Sequence, residues 1–240
     1  MIVGWCHMGS LFNSDLKESE IIGDYLDQYF YNKLVSDKVI SGYHRNDDIQ
    51  EQYEGIDVIV HNHGRNYYID EKAQAHYKDG PLPTFAFEVS YLKDRRWKEG
   101  WLTSGKKNDF WLMIWPQISN SGKEGFSIKA IEKLELMLIK VERMRQYLEA
   151  HNWSRDDILK FDYFLRTNGH DKETGKVSAQ VYEACGKRYD PGRFYWYTSA
   201  FLEEKPINVV VRKNELKRIA SSHYIVRKEL YEKQNIIDLK

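Results

Sequence analysis

Cysteine and proline are scarce in this chain, and a long apolar run is missing. The 240 residues include two cysteines and five prolines. Cys6 and Cys185 are far apart and lack the spacing of metal ligands, so we expect free thiols of a reducing compartment rather than a disulfide. No segment reaches the ~20 apolar residues of a membrane-spanning helix, and the first residues lack the pattern of a secretion signal. The sequence therefore predicts a cytoplasmic protein without a membrane partner.

Net charge is absent as well, because 36 basic residues balance 36 acidic ones. This balance argues against a uniformly basic nucleic-acid-binding protein. It does not argue against a local basic patch, since only the surface that touches phosphate must be positive. Charged residues make up 30% of the chain and aromatic residues 14%, which is typical of a globular protein. The length fits one domain over 1–240.

Several common catalytic motifs are also missing. The chain has no Gly-x-x-x-x-Gly-Lys-Ser/Thr phosphate loop and no Gly-x-Ser-x-Gly nucleophile elbow. His61 and His63 could both contact zinc, but the sequence offers no third ligand nearby. These absences disfavour nucleotide hydrolysis by a phosphate loop, serine hydrolysis and zinc chemistry.

The most informative residues lie on two strand-like segments joined by a turn. In an extended chain Asp70, Lys72 and Gln74 share one face. A hairpin through Asn62–Arg65 would bring Asp57 beside that face. Two carboxylates and a lysine suit metal-assisted cleavage of a phosphodiester, because hard oxygen ligands hold Mg²⁺ and the lysine supplies a compact positive charge. The alternative is a surface ion pair, which contributes little to stability.

Asp57 and then, after a gap of twelve residues, Asp70-Glu71-Lys72 resemble the signature of the PD-(D/E)XK nucleases, the restriction-endonuclease-like superfamily. The resemblance covers roughly the first half of the chain. Position 56, where the family name implies proline, is isoleucine. The resemblance implies an α/β (α+β) fold with an αβββαβ core around a central mixed sheet, at about 13–116. Helices and short strands would be added over about 127–240.

The resemblance also implies an activity, that of an endonuclease dependent on Mg²⁺, with Mn²⁺ as a substitute. The implied metal ligands are Asp57, Asp70, the carbonyl of Glu71, and Glu18. The implied catalytic residues are Asp57, Asp70, Lys72, Glu18 and Gln74. Lys72 would orient or deprotonate the attacking water or stabilise charge on the phosphate, and Gln74 would position the water or the substrate. Double-stranded DNA is the implied substrate, although the residues themselves do not separate DNA from RNA.

The first predicted helix begins near Asn13–Asp15 and runs to about Val35. Its apolar residues recur at helical spacing and give one buried face. Glu18 is in phase with that face, whereas Glu20 lies on the opposite side. We therefore assign the family's helix glutamate to Glu18, with Glu20 as the second choice and a capping or surface role as the alternative. Glu88, on a later strand, could instead complete the site or pair with a basic residue.

The remaining elements of the predicted core follow in order. Residues 84–91 alternate as a third strand. Residues 94–104 suit a short helix, and 109–115 form an apolar run typical of a strand buried on both faces. The order helix, strand, strand, strand, helix, strand agrees with the core that the resemblance implies.

The second half of the chain predicts further helices and strands. Apolar residues from Ile131 to Leu148 recur as one amphipathic helix over about 127–150. A capped helix is predicted over 154–166, and strands over 195–197 and 207–211. The last helix is predicted from about Asn214 to Ala220, with a continuation toward Glu232.

A basic patch is predicted between Lys93 and Lys107, where six positive charges face two negative ones. Aromatic residues among cations favour stacked bases. The predicted nucleic-acid contacts are Lys93, Arg95, Arg96, Trp97, Lys98, Lys106 and Lys107. The alternative is a solvated helix whose tryptophans pack on the sheet.

Two other functions compete with the nuclease interpretation. One is a nucleic-acid-binding protein on the same fold that has lost catalysis. The other is a partner-binding module that uses the 127–150 helix. A nuclease with one site per chain cuts a duplex most directly as a two-fold homodimer, for which we expect that helix and the 195–197 segment to form the seam.

Overall fold

A computed structural model describes residues 10–74, 82–119 and 126–234. They form two compact units. The first unit takes the described residues up to Leu82, those within 107–141 and those from Lys217 onward, and the second consists of 83–106 and 142–216. The chain therefore passes between the units repeatedly, and neither unit is one continuous stretch of sequence. The prediction of a single domain stays a prediction.

Strands occur along the whole described chain. In sequence order they are β1 (Gly42–Arg45), β2 (Val58–Asn62), β3 (Arg65–Ala73), β4 (Thr84–Lys93), β5 (Arg96–Glu99), β6 (Phe110–Ile118), β7 (Ile131–Lys140), β8 (Thr174–Lys176), β9 (Phe194–Ser199), β10 (Ile207–Arg212), β11 (Ser222–Val226) and β12 (Tyr231–Gln234).

The helices alternate with these strands. They are α1 (Ser10–Leu26), which continues through a π-helical turn (Asp27–Tyr31) into α2 (Asn32–Ser36), then α3 (Ile49–Tyr53), α4 (Val141–Glu149), α5 (Arg155–Thr167), a 3-10 turn (His170–Lys172), α6 (Ala179–Ala184) and α7 (Lys213–Ile219). No helix among the described residues combines the length and apolar character needed to cross a membrane.

The first unit is built on a mixed sheet of seven strands in the order β1-β2-β3-β6-β7-β11-β12. Its strands pair antiparallel except for β3 and β6, which are parallel. One face of this sheet carries Val58, Ile69 and Leu112, which share a hydrophobic core with Ile22 and Tyr25 of α1. Side chains alternate along a strand, so Asp70 and Lys72 lie on the opposite face.

The second unit contains an antiparallel sheet of five strands in the order β5-β4-β10-β9-β8. Its core includes aromatic residues, with Trp153, Phe161 and Trp196 in mutual ring contact at centroid distances of 4.8–5.3 Å. The fold is therefore α+β, with one mixed sheet and one antiparallel sheet, and this part of the predicted fold class is confirmed.

Several predicted elements are confirmed. The hairpin turn at Asn62–Arg65 joins β2 to β3, with positive φ at His63 (47°) and Gly64 (74°), as a two-residue turn between twisted strands requires. The buried strand at 109–115 is β6. The helix predicted over 154–166 is α5, and Ser154 and Asp157 form a reciprocal capping box at its start.

One predicted strand of the core pairs in a different sheet, and one predicted helix is wrong. Residues 84–91 belong to β4, which pairs with β10 and β5 in the second sheet instead of joining β2 and β3. Residues 94–104 contain no helix: the chain turns at Asp94-Arg95 and returns as β5. The turn is possible because both residues adopt positive φ (51° and 59°). The αβββαβ core itself stays a prediction.

The helix predicted over 127–150 is also wrong. Residues 131–140 form β7, an interior strand paired with β6 and β11, and only 141–149 are helical. Tyr195 and Trp196 are buried in β9, so the apolar surface expected at 195–197 is not exposed. The homodimer stays a prediction. The last helix ends at Ile219 and does not resume, because β11 and β12 follow it.

Candidate active site

The β2–β3 hairpin places Asp57 beside the acidic end of β3. Asp57 lies immediately before β2, and its backbone N–H donates to the carbonyl of Ile69 at 2.9 Å. Because Val58 pairs with Ile69 in an antiparallel register, Asp57 falls opposite Asp70 and on the same face. The predicted hairpin therefore brings together the two carboxylates that the sequence separates.

Asp70 and Lys72 form an ion pair on this face. The ammonium of Lys72 donates to Oδ1 of Asp70. The Asp70 side chain is 1% exposed, whereas that of Lys72 is 25% exposed. The second oxygen of Asp70, Oδ2, is buried and has no hydrogen-bond partner among the described residues. A buried carboxylate oxygen without a donor is costly, and a cation would offset that cost.

The electrostatics of Asp57 depend on the same neighbours. Burial raises the pKa of Asp57 from 3.8 to about 7. The positive charge of Lys72 opposes this rise, while the negative charges of Asp70 and Glu71 add to it. Asp57 Oδ2 also accepts a hydrogen bond from the backbone N–H of Glu71 at 2.7 Å. Near neutral pH this carboxyl therefore releases its proton readily, and the carboxylate that results could bind a metal cation.

The side chain of Glu71 points away from this cluster, toward α1 and the π-helical turn. Its carboxylate accepts from the Tyr31 hydroxyl at 2.8 Å and from Arg45 Nη1 at 2.9 Å. Burial raises the pKa of the Tyr31 hydroxyl well above its usual range, and the negative charge of Glu71 adds to this rise. The metal-binding role predicted for Glu71 was assigned to its carbonyl, and that role stays a prediction.

Arg45 ties this second cluster together. Its guanidinium contacts Asp27 at 2.8 Å and Glu71 at 2.9 Å, and it donates to the carbonyl of Gly23 at 2.8 Å. A Cβ at position 23 would lie 3.2 Å from the Arg45 guanidinium carbon, so the side chain packs directly on the helix backbone. Sequence reasoning did not find Arg45 or Tyr31, since neither residue stands in a local pattern with Glu71.

The glutamates considered for completing the site differ in their placement. Glu18 is buried on α1 at 8% exposure, in phase with Ile22, and Glu20 is exposed, as the helix periodicity predicted. Glu88 lies on β4 in the other sheet, so the reason for including it, a strand adjacent to β3, no longer holds. The participation of Glu18 in a metal site stays a prediction.

Gln74 follows the last residue of β3. Its backbone N–H donates to the carbonyl of Ile114 at 3.0 Å, which extends the parallel ladder with β6 by one residue. Asp70 and Lys72 share one face of β3 by the two-residue period of a strand, and the backbone of Gln74 continues the pairing of that strand with β6. The structure fixes the backbone of Gln74, and its proposed role in positioning water or substrate stays a prediction.

The predicted basic patch lies on a hairpin of the second unit and not on a helix. Trp97 and its basic neighbours are exposed along the β4–β5 hairpin. Those neighbours are Lys93, Arg95, Arg96 and Lys98. Lys106 and Lys107 lie in the loop that follows, with Lys106 half-buried and Lys107 exposed. The side chains predicted to contact nucleic acid are therefore available to solvent, although the element that carries them was predicted wrongly.

Within 17–74, 82–119 and 126–234 no three histidine, cysteine, aspartate or glutamate side chains are grouped so that they could hold a metal ion among themselves. Comparisons of the chain with protein-family models, with curated proteins and with solved structures gave no match. The functional argument therefore rests on the residues of the β2–β3 hairpin and their surroundings.

Proposed function

We propose that this protein is a metal-dependent nuclease that hydrolyses phosphodiester bonds, with DNA as the expected substrate. The observation that carries the proposal is the convergence of Asp57, Asp70 and Lys72 on one face of the β2–β3 hairpin. Two carboxylates and an ammonium are present there, one of the carboxylates is almost fully buried, and one of its oxygens has no donor among the described residues.

The residues fit Mg²⁺, which usually keeps several waters and takes one or two carboxylates from a protein. Asp57 and Asp70 would hold it, and the carbonyl of Glu71 is the further ligand that we expect. Glu18 is left out of this ligand set, because α1 packs against the opposite face of the sheet. Such an ion supplies positive charge at the phosphate and lowers the pKa of water. A Mg²⁺ site does not need three acidic side chains, because water molecules complete the coordination of the ion.

The protein's own residues would divide the remaining work. Lys72, which is partly exposed and already paired with Asp70, would orient the attacking water or stabilise the phosphate. The Glu71 N–H holds the Asp57 carboxylate in place through its 2.7 Å hydrogen bond. Most of the acceleration would come from positioning and from charge stabilisation.

Strand order lends separate support to the family resemblance. α1 precedes three consecutive antiparallel strands, β1, β2 and β3, and β6 then adds to β3 in parallel. The resemblance implies a helix, three strands, a helix and a strand, with the third strand expected at 84–91. Here the third strand is supplied by β1, ahead of the hairpin that carries Asp57 and Asp70. The departure lies between β3 and β6, where the chain enters the second unit and forms β4 and β5 instead of a helix.

Plasmid nicking tests the proposal. The protein should nick supercoiled DNA with Mg²⁺ or Mn²⁺ and should not do so with EDTA. Asp70→Asn removes one charge with little change in shape and should lower the rate roughly a hundredfold or more. Asp47→Asn, at an exposed carboxylate, is the matched control and should cut like the parent.

The outcomes separate the competing functions. Binding of DNA without cleavage in either metal would favour the catalytically inactive nucleic-acid-binding protein. Neither binding nor cleavage would favour a partner-binding module. If Asp70→Asn cleaves DNA at the parental rate, the protein is a nuclease but its active site is not the one proposed.

A further inference from the structure

The β4–β5 hairpin of the second unit presents an exposed aromatic ring among cations. Trp97 lies on β5, an edge strand of its sheet, and is 43% exposed. Four exposed basic residues lie on the same hairpin, Lys93, Arg95, Arg96 and Lys98. Because side chains alternate along a strand, Arg96 and Lys98 project from the face of β5 opposite to Trp97, at the same edge of the sheet. Of the two acidic residues there, Glu99 is bound by Arg155 at 2.7 Å. The hairpin that holds the ring therefore carries an excess of positive charge at the edge of the sheet.

One face of the Trp97 ring is already covered. The guanidinium carbon of Arg166, on α5, lies 3.4 Å from the ring centroid, which is the separation of stacked planar groups. A ring has two faces, and the covered one contributes little accessible area. The exposed part of Trp97 therefore belongs to its outer face and edge, which are available to a second planar group.

Arg166 lies behind the ring, beside two carboxylates. Its side chain is 7% exposed, and it contacts the carboxylate of Asp162 at 3.5 Å and that of Asp171 at 4.0 Å. It also donates to the hydroxyl of Ser90, which donates to Asp162 at 2.5 Å. Two carboxylates balance the guanidinium charge, so its main effect on Trp97 is to fix the plane of the ring. A ring fixed in advance loses less conformational entropy when a ligand stacks on it.

We infer that Trp97 is a stacking platform for an unpaired base of a single-stranded nucleic acid, with the basic residues of the hairpin contacting the flanking phosphates. Bases in a duplex have both faces covered by their neighbours, so only an unpaired base can lie on the ring. A neutral sugar could also stack on tryptophan, but the four cations on the same exposed hairpin favour a polyanion.

This inference rests on the proposed function in one respect, that the ligand is a nucleic acid. Binding at Trp97 requires neither metal nor Asp57. It narrows the substrate to one with single-stranded segments. Binding is measured in EDTA and cleavage is measured with metal, so the two assays are independent. A protein that binds in EDTA but does not cut with metal would refute the nuclease proposal alone. A protein that cuts but whose binding ignores Trp97 would refute the platform alone.

Anisotropy of a fluorescein-labelled oligothymidylate, titrated with the full-length protein in EDTA, tests the platform. Trp97→Ala should weaken binding roughly tenfold, and Trp97→Phe should recover part of that loss, because a smaller ring still stacks. Phe201→Ala is the matched control. Phe201 is an aromatic residue of the same unit with 41% exposure, but its neighbours Glu203 and Glu204 are acidic and exposed, so its loss should leave the affinity unchanged.

Salt dependence distinguishes stacking from attraction by charge. Trp97→Ala should lower the affinity without changing the slope of log Kd against log salt. The double variant Arg96→Ala/Lys98→Ala should reduce that slope by about 1.4, since each phosphate contact on a single strand contributes ~0.7.

Three results would overturn the platform. The first is parental affinity in Trp97→Ala, which would leave the hairpin as a charged edge strand that prevents sheet pairing. The second is an equal loss of affinity for a duplex of the same length. The third is displacement of the oligothymidylate by a neutral oligosaccharide, which would assign the ring to a sugar.

Discussion

The backbone N–H of Glu71 donates to the carboxylate of Asp57 at 2.7 Å, while the side chain of the same glutamate is bound on the other face of the sheet. Tyr31 and Arg45 hold that side chain at 2.8 Å and 2.9 Å. Glu71 thus connects the candidate site to the helical layer that covers the opposite face. Residues distant from the proposed chemistry can influence Asp57 through this one position on β3.

Removing Arg45 tests this connection. Arg45→Met leaves the carboxylates of Asp27 and Glu71 without their cation, and both are partly buried. We expect the free energy of unfolding to fall by roughly 1–3 kcal/mol in urea titrations, less than for a fully buried pair because the guanidinium is 29% exposed. Glu71→Gln keeps an acceptor for Tyr31 and should cost less.

Arg65→Met is the control for that experiment. Arg65 is exposed at the start of β3, so its replacement should change the unfolding free energy by less than about 0.5 kcal/mol. If the Arg45 and Arg65 variants are equally stable, the network around Glu71 does not contribute to the free energy of unfolding.

The raised pKa of Asp57 predicts a dependence of stability on pH in the absence of metal. The folded-state pKa is about 7 and the ordinary value is 3.8, so the folded protein binds the proton more tightly than the unfolded chain does. The resulting stabilisation is complete below the ordinary pKa and is lost as the pH rises to about 7. The slope contributed by this one group reaches at most about 1.4 kcal/mol per pH unit.

Asp57→Asn removes this contribution. Urea unfolding in EDTA, at a series of pH values between about 4 and about 8, should show a smaller decline of stability for Asp57→Asn than for the parent. Asp47→Asn, at an exposed position, should decline like the parent. Parallel curves for the parent and Asp57→Asn would mean that Asp57 titrates near its ordinary value.

The ion pair between Lys72 and Asp70 predicts non-additive stability changes. Lys72→Met leaves the Asp70 carboxylate, which is 1% exposed, without its cation. We expect the free energy of unfolding to fall by roughly 3 kcal/mol or more. Asp70→Asn costs less, because the 25% exposed ammonium can still reach water. The double variant Asp70→Asn/Lys72→Met should be more stable than Lys72→Met alone. A double-mutant cycle with a coupling below about 0.5 kcal/mol would contradict a buried pair.

Local pattern was sufficient for the β2–β3 hairpin. The turn at His63–Gly64 contains the glycine that positive φ favours, and the two-residue alternation of β3 fixes which side chains accompany Asp70. The position of Asp57 beside Asp70 followed from that hairpin alone. The anchoring of Glu71 could not be predicted in this way, because Arg45 and Tyr31 reach it from elements that are distant in sequence.

The wrong predictions have physical causes of two kinds. In β7 both faces are buried: Leu134 and Leu136 point to one side, and Met137 and Ile139 to the other. Apolar residues on both faces also satisfy the spacing of an amphipathic helix, so periodicity could not separate the two. For β4 the strand was predicted correctly, but its partner was not, since pairing with β10 joins residues more than a hundred positions apart.

The turn at Asp94-Arg95 yields a last prediction, on the segment that was predicted to be helical. Lys93 pairs with Arg96, so both turn residues must adopt positive φ, which costs a non-glycine residue about 1–2 kcal/mol. Arg95→Gly should therefore raise the free energy of unfolding by about 1 kcal/mol. Arg96→Gly, one residue later and on the strand, should lower it by about 0.5–1 kcal/mol, because glycine there only adds freedom to the unfolded chain. Urea titration gives the free energy of unfolding of both variants. Changes of the same sign in the two variants would contradict a two-residue turn at this position.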